Sequence, residues 1–360
     1  MSQLKIPRGD LRVYNCDAPG RNADPELQSE RPPTACGPKM LETFNSARRI
    51  CYLIIAIIGL PVNLVAIAIL SRGKCGLSSC TTRYLVVMAA ADMLAVVTAV
   101  ILMRISYYFP GSYLDRYPTC NINFFLMCAA RDCSVWFTVA FSFDRFVLIC
   151  CQKLKTKYCT LKTAAAVLAI TGVLLCLKNV PFYFSSEPKF IIDKVPWFCK
   201  RKRVYYTDPL WVGFRMLDKV VTPLLPLAFI LLFNVLTVRH ILLASRVRKA
   251  LRGQSKGQNQ SDPEMESRRR SMILLFTISG SFILLWLTTV LDFLYYNIAG
   301  TTPSQYNNSE FIFAHVGYML QNFSLCTNTF IYGVTQSKFR QEFVNAVKYP
   351  VNSILRIIKK

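Results

Sequence analysis

Acidic residues are scarce in this 360-residue chain: 20 Asp and Glu stand against 43 Lys and Arg, with only 2 histidines and 4 tryptophans. His240 and His315 are too few for a histidine-based metal centre. No His-Glu-x-x-His, nucleophile elbow or phosphate loop is present, so no catalytic residue is assigned and an enzyme is not expected. No repeat of fixed period stands out, which counts against transporters built from duplicated halves. Met1–Arg12 is too polar for the apolar core of a signal peptide, so the first spanning helix would itself act as the targeting signal. Polar stretches of domain size are missing too. The longest are the N-terminal segment to Arg49 and the Arg239–Arg270 loop.

What remains is apolar. Hydrophobic residues make up 53% of the chain and the mean hydropathy is +0.32. The apolar windows exceed the 10–14 residues of a buried core helix. Seven spanning helices are expected, roughly Ile50–Leu70, Tyr84–Met103, Cys120–Cys151, Thr163–Phe184, Met216–Val238, Met272–Tyr296 and Phe311–Val334. Asp218 and Lys219 interrupt the outer end of the fifth. The fold class is therefore an all-α membrane bundle in three parts: an outer arm over 1–49, a seven-span domain over 50–334, and a cytoplasmic tail over 335–360.

The formal charge of +23 is unevenly spread. Arg72, Lys74 and Arg83, then Lys153, Lys155, Lys157 and Lys162, then the Arg239–Arg270 loop and the tail after Gln336 all fall on one side. The positive-inside rule makes that side cytoplasmic and places the N-terminus outside, as for a multi-pass plasma-membrane protein. The basic excess reads as topology and attraction to anionic membrane lipid, not nucleic-acid binding. Pro19, Pro25, Pro32, Pro33 and Pro38 make the outer arm irregular.

Of the 14 cysteines, four lie outside: Cys16, Cys36, Cys120 and Cys199. Pairing is expected in an oxidising compartment, although spacing cannot fix connectivity. A Cys120–Cys199 bridge would pin the loop between spans four and five across the bundle mouth; Cys16–Cys36 is a second candidate. Asn307-Asn308-Ser309 is a glycosylation sequon in an outer loop.

Isolated polar residues punctuate the spans: Asn63, Asp92, Ser134, Trp286, and Asn328 with Tyr332 one turn on. A carboxylate in a bilayer needs partners, so Asp92 is expected to face Asn63, Ser134 and Asn328. A polar cluster gluing helices together would account for any one of these residues; the whole set at these spacings points further. The charged pair Asp144-Arg145 at a membrane boundary is costly unless it has a task there.

These residues resemble the marks of rhodopsin-like (class A) G-protein-coupled receptors, over about Arg48 to Tyr349. Asn63 and Asp92 match the family's residues on helices one and two, and Cys120 and Cys199 its bridge. Asp144-Arg145-Phe146 resembles Asp/Glu-Arg-Tyr, and Asn328-Thr329-Phe330-Ile331-Tyr332 resembles Asn-Pro-x-x-Tyr. Pro226, Val135 and Phe282 fall at the core trigger, and Trp286 at the toggle tryptophan. Lys338-Phe339-Arg340 would open a short amphipathic eighth helix. The Leu285-Trp286 context and the pairing of Pro226 with Asn234 place the chain near the orphan group that includes aromatic-amino-acid-sensing receptors.

The resemblance implies an extracellular ligand, a heterotrimeric G protein and arrestin as partners, and no cofactor beyond an allosteric sodium ion held by Asp92, Ser134 and Asn328, with Ser324 as a further oxygen ligand. Departures stand beside it. Thr288 and Thr329 replace kinking prolines; a threonine bonded to the carbonyl four residues back bends a helix less. Asn234 replaces a tyrosine. Arg268 stands where relatives carry an acid facing the motif arginine, so repulsion should weaken the inactive lock and raise basal signalling.

Met127, Arg131 and Val135 repeat every four residues along helix three and share a face. Arg131 lies about 16 Å below Cys120 and needs an anion there. A ligand carboxylate and an internal partner (near Asp132, Asp218 or Asp292) both answer. Met127, Arg131, Asp218, Trp286, Thr289 and Asp292 form the expected ligand set, for a small zwitterionic or acidic molecule or a short peptide. His315 reads as a solvated side chain at a helix end. A receptor-like chain without G-protein coupling, or a transporter, is the competing reading.

Overall fold

The computed structural model describes residues 37–105, 116–252, 263–299, 306–345 and 348. Cys16 and Cys36 lie outside these, as do most of the proline-rich arm and the end of the tail. Lys155, Arg248, Lys249 and Arg268 sit in described helices, but their side chains fall outside the described set.

Helices dominate. The first three spans are α1 (Gly37–Ser71), α2 (Ser79–Ala95, extended by a π-helical segment Val96–Ile105) and α3 (Thr119–Cys150). A short α4 (Gln152–Tyr158) precedes the fourth span, α5 (Leu161–Tyr183). An outer hairpin of β1 (Ser186–Ile192) and β2 (Val195–Arg201), then α6 (Val204–Thr207), lead to the fifth span. That span is α7 (Pro209–Lys219), a π-helical segment Val220–Leu224 and α8 (Leu225–Arg252). Spans six and seven are α9 (Pro263–Ala299) and α10 (Asn308–Thr335); a last helix, α11, covers 337–345.

Six helices are long and apolar enough to cross a membrane by length and composition. The seventh, α10, has 28 residues, ample for a bilayer of about 30 Å at about 1.5 Å per residue. Its apolarity is diluted by His315, Gln321 and Asn328, all buried against the bundle. The expected solvated His315 is thus a buried one, with Nδ1 at 2.8 Å from the Phe311 carbonyl.

Helix boundaries depart from the hydropathy windows. Residues 37–49 are already helical, and the basic Arg239–Arg270 loop is helix up to Arg252 and again from Pro263. Lys, Arg, Ala and Leu favour helix whether wet or dry, so hydropathy marks the membrane and not the helix end. Span five starts at Pro209, capped by Asp208, whose carboxylate accepts from the Leu210 and Trp211 amides. It breaks at Thr222, whose φ/ψ of −144°/102° is not helical, next to Pro223. Proline removes a ladder donor and crowds the preceding turn.

α3 is the central helix, touching α2, α5, α8, α9 and β2. α5 shows how lipid shapes the sequence. Ala164, Leu168, Leu175 and Phe182 are buried on one side, whereas Val173, Leu174 and Leu177 are about 60% exposed on the other. Such apolar exposure is stable in hydrocarbon, where transfer from water costs nothing further. α9 and α10 pack closely at Gly317, where an added Cβ would lie 3.2 Å from the Thr289 backbone nitrogen. After the break at Gln336, Phe339 packs edge-on to Tyr332 at 5.9 Å. Arg340 reaches back to the Gly333 and Val334 carbonyls at 3.1 and 2.8 Å, a cation at a helix C-terminus where the dipole favours one. In the loop between α1 and α2, burial pushes the Cys75 thiol above its ordinary pKa, which favours the protonated, unreactive form.

Candidate functional site

The outer hairpin reverses at Asp193-Lys194, both at positive φ (51° and 61°), the conformation that two-residue turns need to match strand twist. Cys199 on β2 is bonded to Cys120 at the head of α3. Arg116 pairs with Trp197 as an isolated bridge, with its guanidinium 5.1 Å from the indole ring. Arg201, two residues beyond Cys199 and so on the same strand face, lies 3.4 Å from the Phe124 ring centroid. It also donates to Ser185 Oγ at 2.7 Å and to Ser186 Oγ. The hairpin is therefore fixed twice over the mouth. Arg201→Ala should leave the bridge intact but free the hairpin's inner end. Faster amide exchange of β2 and of Lys202, whose N–H bonds Ser185 O, would show it; unchanged protection would rule out the clamp.

Beneath the hairpin lies a cavity of about 90 Å³, continuous with outer solvent. Met127, Arg131, Asp218, Thr289 and Asp292 all line it, with Phe124, Tyr205 and Tyr318 among its aromatic walls. The sixth residue of the expected ligand set, Trp286, does not. It lies deeper, donating its indole N–H to Ser324 Oγ at 3.2 Å, and lines a separate small inner cavity of about 10 Å³ with Ser134, Ser324 and Asn328.

Lys178 and Asn179, which drew no attention in the sequence, complete the outer charge set. Lys178 Nζ meets Asp132 Oδ2 at 2.7 Å and also pairs with Asp218 Oδ1. Asn179 Nδ2 donates to the same Asp132 oxygen at 2.7 Å. Asp132 is 1% exposed. Spans three, four and five are thereby joined by one ammonium shared between two carboxylates. Asp218 is both a cavity wall and half of an ion pair. Tyr306 donates to Asp292 Oδ1 at 3.3 Å across the mouth.

Below the cavity, Val135, Ile230, Phe282 and Trp286 pack as one cluster, with Phe282 and Trp286 stacked at 5.2 Å. Pro226 is buried one turn before Ile230. Ile230, which the sequence reading passed over, is the fully buried residue of that helix in the cluster, with Leu227, Phe229 and Phe233 packed around it; its position four after Pro226 was the available signal.

One storey lower, Asp92 is fully buried. Oδ1 accepts from Ser134, and Oδ2 from Asn328 Nδ2 at 2.9 Å. Asn63 is not in this set: its amide donates to the Gly59 and Leu325 carbonyls at 2.9 and 2.8 Å. Thr329 donates to Asn63 Oδ1 at 3.4 Å instead of bonding back along its own helix. Ser324 donates to the Gln321 carbonyl at 2.7 Å and accepts from Trp286, and lines the inner cavity beside Asp92's partners Ser134 and Asn328. Tyr332 is fully buried near the inner core.

At the end of α3 away from the hairpin, Arg145 is 2% and Asp144 5% exposed. Arg145 Nε donates to Asp144 Oδ2 at 3.0 Å, and its terminal nitrogen bonds the same oxygen. Phe146, in the tyrosine's place, stacks on Phe233 at 5.9 Å. Asn234 follows on α8, and among the described residues nothing bonds its buried Oδ1. Asn307 is exposed and caps α10 through its side-chain oxygen.

Seven helices, the bridged outer hairpin and a guarded guanidinium at the inner end define a multi-pass membrane receptor. Residues 62–332 match the family described as 7 transmembrane receptor (rhodopsin family), and the chain belongs to it. This is a family of signalling receptors, not of enzymes. The chain is 26% identical over 261 residues to the mouse protein "Probable G-protein coupled receptor 142". The alignment takes in 69% of this chain and 59% of that relative's length.

Proposed function

We propose that the chain carries an extracellular signal to heterotrimeric G proteins, with its N-terminus outside and its tail in the cytoplasm. The observation that supports this most is the continuous stack along α3. The outer cavity, the Trp286–Phe282–Val135–Ile230 cluster, the Asp92 network and the Asp144–Arg145 pair follow one another inward. A ligand that repacks the cluster biases a two-state bundle. Span six then swings out, Arg145 leaves Asp144, and the basic inner face, including Lys153 and Arg246, receives the G protein. Arrestin would use the same crevice. A small zwitterionic or acidic molecule or a short peptide suits Arg131, Arg215 and Lys219 on the walls of the outer cavity. The narrower placement near aromatic-amino-acid-sensing receptors belongs to this proposal as well.

Asp92, Ser134 and Asn328 offer carboxylate, hydroxyl and amide oxygens, the donors a hard cation takes, and would hold a sodium ion. Bound there, the ion would supply a positive charge to offset the buried carboxylate. Glycosylation of Asn307 would use the amide nitrogen that capping leaves over. The departures at Thr288, Thr329 and Asn234 support a second reading, a receptor-like protein that does not couple.

Ligand-free recruitment of a panel of G proteins in living cells separates the two: signal above mock in any channel is expected, and silence throughout favours the second. A screen of amino acids and peptides then names the ligand. Arg131→Ala, at equal surface level, should lose the response; an unaltered response removes Arg131 from the pocket.

A further inference from the structure

Asp144 has two carboxylate oxygens, and Arg145 takes only Oδ2. The other, Oδ1, accepts a hydrogen bond from the thiol of Cys80, with Sγ at 3.4 Å. Cys80 is 3% exposed and stands in the first turn of α2. That turn is fixed by its own cap: Ser78 Oγ accepts from the Thr81 amide at 3.2 Å and shares a hydrogen bond with the Thr81 hydroxyl at 2.7 Å. We propose that Cys80 is a positioning residue for the Asp144–Arg145 pair, a donor on span two that sets the carboxylate plane so that Oδ2 meets the guanidinium.

The physical argument is rotational. An aspartate's last torsion is soft and roughly two-fold, so nothing in the side chain itself chooses which oxygen faces Arg145 or how squarely. A donor on each oxygen, coming from different helices, fixes that plane. α2 packs directly along α3, with Cys80, Tyr84, Leu85 and Phe141 in one buried cluster, so the thiol is held beside the carboxylate by the packing of these two helices. The guanidinium is held from the other side, 5.7 Å from the Phe141 ring. A thiol is a weak donor, and the hold is correspondingly adjustable: a hydroxyl at the same place tightens it, a methyl removes it. This deepens the receptor reading and rests on it, since the closed pair is taken as the resting state.

The test uses the full chain. In cells, Cys80→Ala at matched surface level is expected to raise ligand-free G-protein recruitment about threefold, the scale of one modest hydrogen bond. Cys80→Ser is expected to lower it below wild type. Cys80→Ala added to Asp144→Asn should change nothing further, because the carboxylate–guanidinium pair it positions is gone. Alanine and serine variants that behave alike, or effects that add in the double variant, would overturn the proposal. A merely structural role would instead lower thermal stability in both variants and leave recruitment per receptor unmoved. To keep the receptor reading separate, a fluorine-bearing residue at the exposed Arg269 position of α9 reports the open population of the purified protein with no G protein added. Silence of every variant in the recruitment panel then counts against coupling alone, whereas a fluorine spectrum identical in wild type and Cys80→Ala defeats the role of Cys80.

Discussion

Replacing Lys178 by methionine is expected to strip the protein from the cell surface. Its ammonium is the cation shared by Asp132 and Asp218, and Asp132 is 1% exposed beneath the outer cavity. Removing one partner of a buried pair leaves an uncompensated charge, at about 3–5 kcal/mol. That is a large share of a total stability of about 5–15 kcal/mol. Replacing the whole set tells a different story. The triple variant Lys178→Met, Asp132→Asn, Asp218→Asn keeps volume and hydrogen-bonding capacity without any charge, and should recover most of the surface level, because buried ion pairs add little net stability over neutral groups of like shape. Lys178→Arg should fall between, since a longer, planar head cannot occupy the ammonium's place between two carboxylates. Surface labelling of a tagged receptor and thermal unfolding of the detergent-solubilised protein measure both. Wild-type surface level and thermal stability in Lys178→Met would show that the shared ion pair carries no structural weight.

Lys178 also marks where reading a sequence stops. A lone lysine five residues from the end of an apolar run gives no periodic signal, and its partners are on other spans, so neither spacing nor hydropathy could join them. The spans themselves were legible because lipid demands long apolar runs, and Cys120, Asp92 and Arg145 were legible because a charge or an outer thiol in such a run stands out. The Met127–Arg131–Val135 face followed from helical periodicity, yet periodicity says nothing of how far a neighbouring helix reaches. Trp286 therefore fell below the outer cavity, and Asn63 bonded α10 in place of Asp92. The hairpin carried a signal that was missed: Ile191 and Ile192, then Asp193-Lys194, then Val195 read as two β-branched edges about a two-residue turn. The helical ends of the Arg239–Arg270 stretch were hidden for the opposite reason, being polar and regular at once.

Asp144→Asn should give the largest functional change. The carboxylate's Oδ2 takes two guanidinium bonds in a place where Arg145 is 2% exposed. An amide keeps the shape but loses the charge, and a buried arginine deprived of its counter-ion is destabilised by about 3–5 kcal/mol. On the proposed mechanism, the guanidinium escapes that by leaving Asp144 for the inner end of the bundle, the arrangement assigned above to the signalling state. Since about 1.4 kcal/mol is tenfold in an equilibrium, even half of that energy would raise the open fraction on the order of tenfold or more. Arg268 pushes the same way in sequence terms, as a second cation at the inner end of α9. Arg268→Glu should therefore lower ligand-free recruitment, and combined with Asp144→Asn it should pull the doubly changed receptor back toward the resting level by offering Arg145 a new acid. Glu264 and Glu266 lie four and two residues before Arg268 and would mask the effect if they already serve, so Glu264→Gln with Glu266→Gln is the companion variant. If Asp144→Asn leaves recruitment at the wild-type level in every G-protein channel, the pair does not hold the resting state. If Arg268→Glu leaves ligand-free activity unchanged with both glutamates neutralised, no lock was missing at that position.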